Sequence, residues 1–111
     1  MLLRTQAGLA EVGKTDGLAF AFVILDSNFN PANADAAPQY AIYSTSGLAT
    51  GTPMANGTGT AAAVSGETGV YYIKHTLNPA DGYVEGEHYH VVISYSISTV
   101  PKRAVVDFVA T

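Results

Sequence analysis

Residues 87–98 carry the longest unbroken alternation in the chain. Tyr89, Val91, Ile93, Tyr95 and Ile97 fall on one phase, and His88, His90, Val92, Ser94 and Ser96 fall on the other. Successive side chains of a strand point to opposite faces, so this segment has one apolar face and one wet face. That is the mark of an antiparallel sheet packed on one side only. A strand of this kind has to have partners, and the rest of the chain supplies them.

Residues 18–25 place Leu18, Phe20, Phe22 and Ile24 on one face, preceded by Gly17 and stopped by the turn chemistry of Asp26, Ser27 and Asn28. Residues 28–38 mix proline, asparagine and alanine and read as a loop between sheets. A strand follows at residues 40–44. Residues 47–59 hold Gly47, Gly51, Gly57 and Gly59 together with Pro53 and the turn pair Asn56-Gly57. Residues 60–64 read as a short strand. Residues 69–77 read as a longer one, with Tyr71, Ile73 and Leu77 on its core face. Turns are expected at 78–82 and 98–101, and a last strand at 102–110 turns Ala104, Val106 and Phe108 inward. No helical period of useful length occurs. Six or seven short strands punctuated by turns give an all-β sandwich or barrel. The sandwich spans residues 17–111, and residues 1–16 form either an N-terminal arm or a first strand.

A chain of 111 residues makes one domain with one modest core. It has no cysteine, which removes disulfides, thiolate metal sites and a cysteine nucleophile and suits a reducing compartment. Charged residues make up only 13% of it, about half the usual share, and the net charge is −4. So sparse a surface suits a protein held in an assembly better than a free monomer. The five cations Arg4, Lys14, Lys74, Lys102 and Arg103 form no run, so nucleic acid is not the expected partner. Lys102 and Arg103 read as surface flanking a turn. Neither a signal-peptide core after Met1 nor a membrane-length apolar stretch occurs, so no membrane is expected either.

Motifs that carry chemistry are few. His88-x-His90 lacks the further ligands of a zinc site and reads as exposed strand histidines. Asp26-x-Asn28-x-Asn30 opens like a calcium loop, but Pro31 and Ala37 stand where glycine and an acid belong, so it reads as an Asx-rich strand exit. Gly57-x-Gly59 precedes no helix and cannot cradle a phosphate. No cofactor is called for, and no nucleophile elbow or carboxylate pair marks an enzyme. Two features bear on binding. The second phase of residues 18–25 (Ala19, Ala21, Val23, Leu25) is apolar too, and Val105 and Val109 add to it. This surplus is either covered by a loop or arm, or a subunit interface. Tyr83, in a loop with Glu85, is either a corner residue or a contact residue.

The C-terminal half resembles a known family. Gly69-Val70-Tyr71-Tyr72-Ile73 leads through Asn78-Pro79-Ala80 to Asp81-Gly82-Tyr83-x-x-Gly86-x-x-Tyr89, and an alternating strand follows. This run is similar to the immunoglobulin-like domains of small virion proteins of tailed bacteriophages, and Tyr89 is spaced for a tyrosine corner. The resemblance implies an immunoglobulin-like antiparallel β-sandwich of about seven strands. It also implies a non-enzymatic virion structural protein: a capsid decoration or accessory subunit, or a neck or tail accessory. Its partners would be the major capsid or neck and tail proteins and further copies of itself, and it would reside in the virion after assembly in the host cytoplasm. A second reading stays open, a carbohydrate- or surface-binding module with a shallow site at Tyr83 and its neighbouring acids.

Overall fold

The computed structural model describes residues 2–3 and 9–111. The elements are β1 (Leu2–Leu3), β2 (Leu9–Ala10), β3 (Leu18–Ile24), β4 (Gln39–Ser44), α1 (Thr45–Thr50), β5 (Thr58–Thr60), β6 (Ala62–Ala63), β7 (Val70–His75), β8 (His88–Ile97) and β9 (Val100–Val109). A single 3-10 turn at Pro79–Asp81 lies between β7 and β8. One sheet has the order β1-β3-β7-β6, with β2 also on β3, and the other has the order β5-β4-β8-β9. Every pairing is antiparallel.

Among the described residues these nine segments amount to seven strands. β1 and β2 both pair with β3, on the edge away from β7, and are counted together. β5 and β6 are one strand that changes sheets at Ala61, whose N–H donates to the Pro38 carbonyl at 2.8 Å. Ala61 is 2% exposed, and the switch needs a small residue because the strand crosses the core edge there. Two sheets of this connectivity packed face to face make an immunoglobulin-like sandwich. The edge near β2 is tied to the last residue as well: Val12 N–H donates to the Thr111 carbonyl, and Thr111 N–H donates to the Ala10 carbonyl.

The period-two reading of the strands holds in the core. Leu18, Phe20, Phe22 and Ile24 from β3, Tyr71 and Ile73 from β7, Ile42 from β4, Val91 and Ile93 from β8, and Val106 and Phe108 from β9 are all buried. Each large side chain so placed contributes about 1.5–3 kcal/mol relative to exposure. Ala104 is only half-buried and lines the tip-end groove described below.

Four local expectations change. Residues 45–50 form a short helix, started by Ser44, whose hydroxyl accepts from Gly47 N–H, and ended by Gly51 in the left-handed region. The glycines at 47 and 51 thus serve a helix and its cap rather than an open loop. Asn56 does take positive φ, but its turn feeds β5 at the end of a long connection and closes no tight hairpin. The last strand begins at Val100, since the turn is only Ser98 and Thr99, both at positive φ (49° and 66°). That is the backbone of a two-residue primed turn, whose twist matches its strands. Finally, Val92 lies on the wet phase of β8 yet is only 4% exposed, shielded by its cross-strand neighbours Ala41 and Val105.

Candidate functional site

The strands run from end to end, so the sandwich has two ends of different make. The first, the corner end, gathers the loops after β2, β4 and β7 and the chain's last residue. Asn78 caps the 3-10 turn through Ala80 N–H, and Gly82 closes it at φ 98°. The chain then enters the core at Tyr83 (3% exposed). Tyr89 stacks on Phe108 at 5.5 Å and meets Tyr83 edge-on at 5.2 Å. The Tyr89 hydroxyl accepts the Val84 N–H at 2.8 Å, which is a tyrosine corner. Of the two roles open to Tyr83, corner or contact, the structure gives the first: its ring is buried in the core, which removes it from the contact loop. Its hydroxyl is buried without a hydrogen-bond partner among the described residues, and burial pushes its pKa up. Glu85, beside it in sequence, is exposed.

Polar side chains at this end stitch the fold together. The Tyr40 hydroxyl and His75 Nδ1 are 2.8 Å apart, and burial lowers the His75 pKa while Asp81 opposes the shift. On the outer surface His90 Nδ1 lies 2.6 Å from Asp107 and its Nε2 lies 3.1 Å from Thr45 Oγ1. The order Thr-His-Asp is that of a nucleophilic triad. Here, however, the Asp107 side chain is 67% exposed, whereas a triad acid acts from a buried position that orients and polarises its histidine. The chain of bonds instead ties α1 to β8 and β9. The histidines read as free surface groups are thus divided: His90 has both nitrogens occupied, and His88 is exposed.

The opposite end, the tip end, is built around the β8–β9 hairpin, which overhangs the end of β3. Val100 and Lys102 pair with Ile97 and Tyr95 on the inward phase, yet both are exposed. The result is a groove of about 690 Å³ lined by Leu25, Tyr95, Ile97, Val100, Lys102 and Arg103 among others. The hairpin is held rigidly. Asp35 accepts Ser98 N–H on one oxygen at 3.0 Å and Thr99 N–H on the other at 2.8 Å, and its own N–H donates to the Ser96 carbonyl. These bonds offset the cost of two non-glycine residues at positive φ.

The loop after β3 stands beside the hairpin. Asp26 Oδ1 accepts from Asn28 N–H and Asn30 N–H, so the Asx-rich exit is a hydrogen-bonded turn. Its apex is Phe29, 64% exposed and at φ 63°. An aromatic residue in that backbone region is uncommon, and one held there in water has no core role to explain it. Sequence reading passed over Phe29; the signal was a large aromatic inside an Asx turn. Lys102 and Arg103, read as bystanders to a turn, form part of the groove wall.

The proposed apolar interface is divided by the structure. Ala19, Ala21 and Val23 do share the outer face of β3, where they are joined by Val70 and Tyr72 across the ladder. Leu25 is 7% exposed and lines the groove instead. Val105 and Val109 lie on the outer face of the other sheet, on the far side of the sandwich, so they cannot add to the same patch. The reason is topological: β3 and β9 belong to different sheets.

Among the described residues no helix is long and apolar enough to cross a membrane. In comparisons with known proteins, no family model, no curated protein and no solved structure matches this chain. The fold and its two ends therefore carry the functional argument.

Proposed function

We propose that this chain is a non-enzymatic structural subunit of a tailed-phage particle, a capsid decoration or accessory protein or a neck or tail accessory. The observation that carries the reading is the corner end itself. The run Asp81-Gly82-Tyr83-x-x-Gly86-x-x-Tyr89, on which the resemblance to small virion domains rests, forms a tyrosine corner in an immunoglobulin-like sandwich. The surface supports the same reading. The outer face of β3 and β7 presents Ala19, Ala21, Val23, Val70 and Tyr72 with Lys74 as its one charge, a face suited to lie against a larger shell. The tip end adds exposed Phe29 and Val100. The alternative of a shallow sugar site loses its platform, since Tyr83 is in the core.

The test is to purify, by density gradient, particles produced from the genome that encodes the chain, and to assay them with an antibody to it. The chain is expected in the particle band, in many copies, and Ala21→Glu is expected to release it. Absence from the particle band, with the chain present in the lysate, would overturn the reading.

A further inference from the structure

The two ends carry complementary groups that this molecule cannot pair within itself. At the tip end Lys102 and Arg103 are exposed, and among the described residues neither has a carboxylate within ion-pair distance. Asp26 and Asp35 line the neighbouring surface and keep their charge, but their oxygens accept backbone N–H groups of the Asx turn and the hairpin turn and form no ion pair with either cation. At the corner end Glu85 and Glu87 are exposed, and neither side chain has an ion-pair or hydrogen-bond partner among the described residues. Glu11, Asp16 and Asp81 lie at the same end, with Lys14 as the cation that partly offsets them through its bond to Glu11.

All ten residues of β8 separate Glu87 from the hairpin turn, which is about 30 Å of strand. The Debye length at physiological salt is about 8 Å. The charges at the two ends therefore do not act on one another within a molecule. They are left available to a second molecule.

The apolar relief agrees with the charge. Val84, 55% exposed, follows Tyr83 in the tyrosine corner and is followed by Glu85 and Glu87, so an exposed apolar side chain lies beside two acids. The tip-end groove has apolar walls from Leu25, Tyr95, Ile97 and Val100, with Lys102 and Arg103 on the hairpin side and Asp26 on the side of the β3 exit. We propose that the 84–87 loop of one copy docks in the tip-end groove of the next, Val84 against Ile97 and Val100, with Glu85 and Glu87 on Lys102 and Arg103. Because the two surfaces differ, the contact is head-to-tail, and repeating it gives a ring or a file of copies rather than a two-fold dimer. This contact goes beyond the virion reading and does not depend on it.

The test uses two charge-reversed variants of the full chain, Lys102→Glu with Arg103→Glu, and Glu85→Lys with Glu87→Lys. Sedimentation velocity is run over a concentration series at low and at high salt, and thermal melts establish that each variant is folded. The wild type is expected to gain mass with concentration, and more so at low salt. Each variant alone, with like charges at both ends, is expected to need at least tenfold more protein for the same mass. An equimolar mixture is expected to recover association, since the reversed ends are again complementary. A wild type that stays monomeric, variants that associate as it does, or a mixture of folded variants that recovers nothing would each overturn the proposal. None of those results touches the particle-band test, so the two readings fail separately.

Discussion

The corner end and the tip end are made from the same strands and use them in opposite ways. At the corner end every inward position is filled: Leu77 is fully buried, Ala110 is 1% exposed, and Tyr83, Tyr89 and Phe108 stack beneath the surface. At the tip end Val100 and Lys102 occupy inward positions that nothing in the described chain covers, and Phe29 is held out on a hydrogen-bonded turn. Stability is concentrated at one end and available surface at the other. Substitutions at the corner end are therefore expected to change the melting of the fold, and substitutions at the tip end to change association while leaving melting alone.

The largest effect is expected from Phe108→Ala. It removes a ring stacked on Tyr89 at 6% exposure and leaves a cavity, so it costs about 3–5 kcal/mol, read from denaturant unfolding. Two identical chemical changes should next differ in their effect on stability. Tyr89→Phe deletes the acceptor of the Val84 N–H and costs about 1–2 kcal/mol. Tyr83→Phe deletes a buried hydroxyl that has no partner among the described residues, and is neutral or stabilising by about 1 kcal/mol. If both changes destabilised equally, the description of the corner would be wrong.

A smaller effect is tied to pH. Burial lowers the His75 pKa in the folded state, so below the ordinary histidine value of about 6.5 the unfolded chain binds more protons than the folded one. This group therefore leaves stability unchanged above that value and lowers it as pH falls from there through the depressed folded-state pKa. His75→Gln is expected to flatten that slope in unfolding curves taken at successive pH values; an unchanged slope would assign it to other groups. The smallest effect belongs to the tip end. Phe29→Ser and Val100→Ser should each leave stability within about 0.5 kcal/mol, because neither side chain is buried. A loss of 2 kcal/mol or more would show that the tip end belongs to the core and not to a binding surface.

The difference between the ends also marks what could be read in the sequence. The inward phases of β3, β7 and β8 were legible because period two is a local property of the chain. The tyrosine corner was legible because its parts lie within five residues. The division of Ala19, Ala21 and Val23 from Val105 and Val109 was not, since it depends on which sheet each strand joins, and that is decided by pairing across the whole chain. Tyr83 lies in a loop flanked by glycines, which left a corner role and a contact role both open. Only the packing of Tyr89 against it shows that the loop dips into the core. The role of Asp35 was hidden for a related reason: its partners Ser98 and Thr99 lie more than sixty residues away.

The central claim is that one end holds the fold and carries the acidic 84–87 loop while the other offers the groove that receives it. The most direct measurement is a dilution series of backbone amide spectra of the isotope-labelled wild type. The account predicts concentration-dependent shifts confined to two sets of residues, 84–87 at the corner end and 25–29 with 97–103 at the tip end, fading together at high salt. Shifts centred on the outer face of β3 and β7, at Ala21 and Tyr72, or no shift at any concentration, would contradict it.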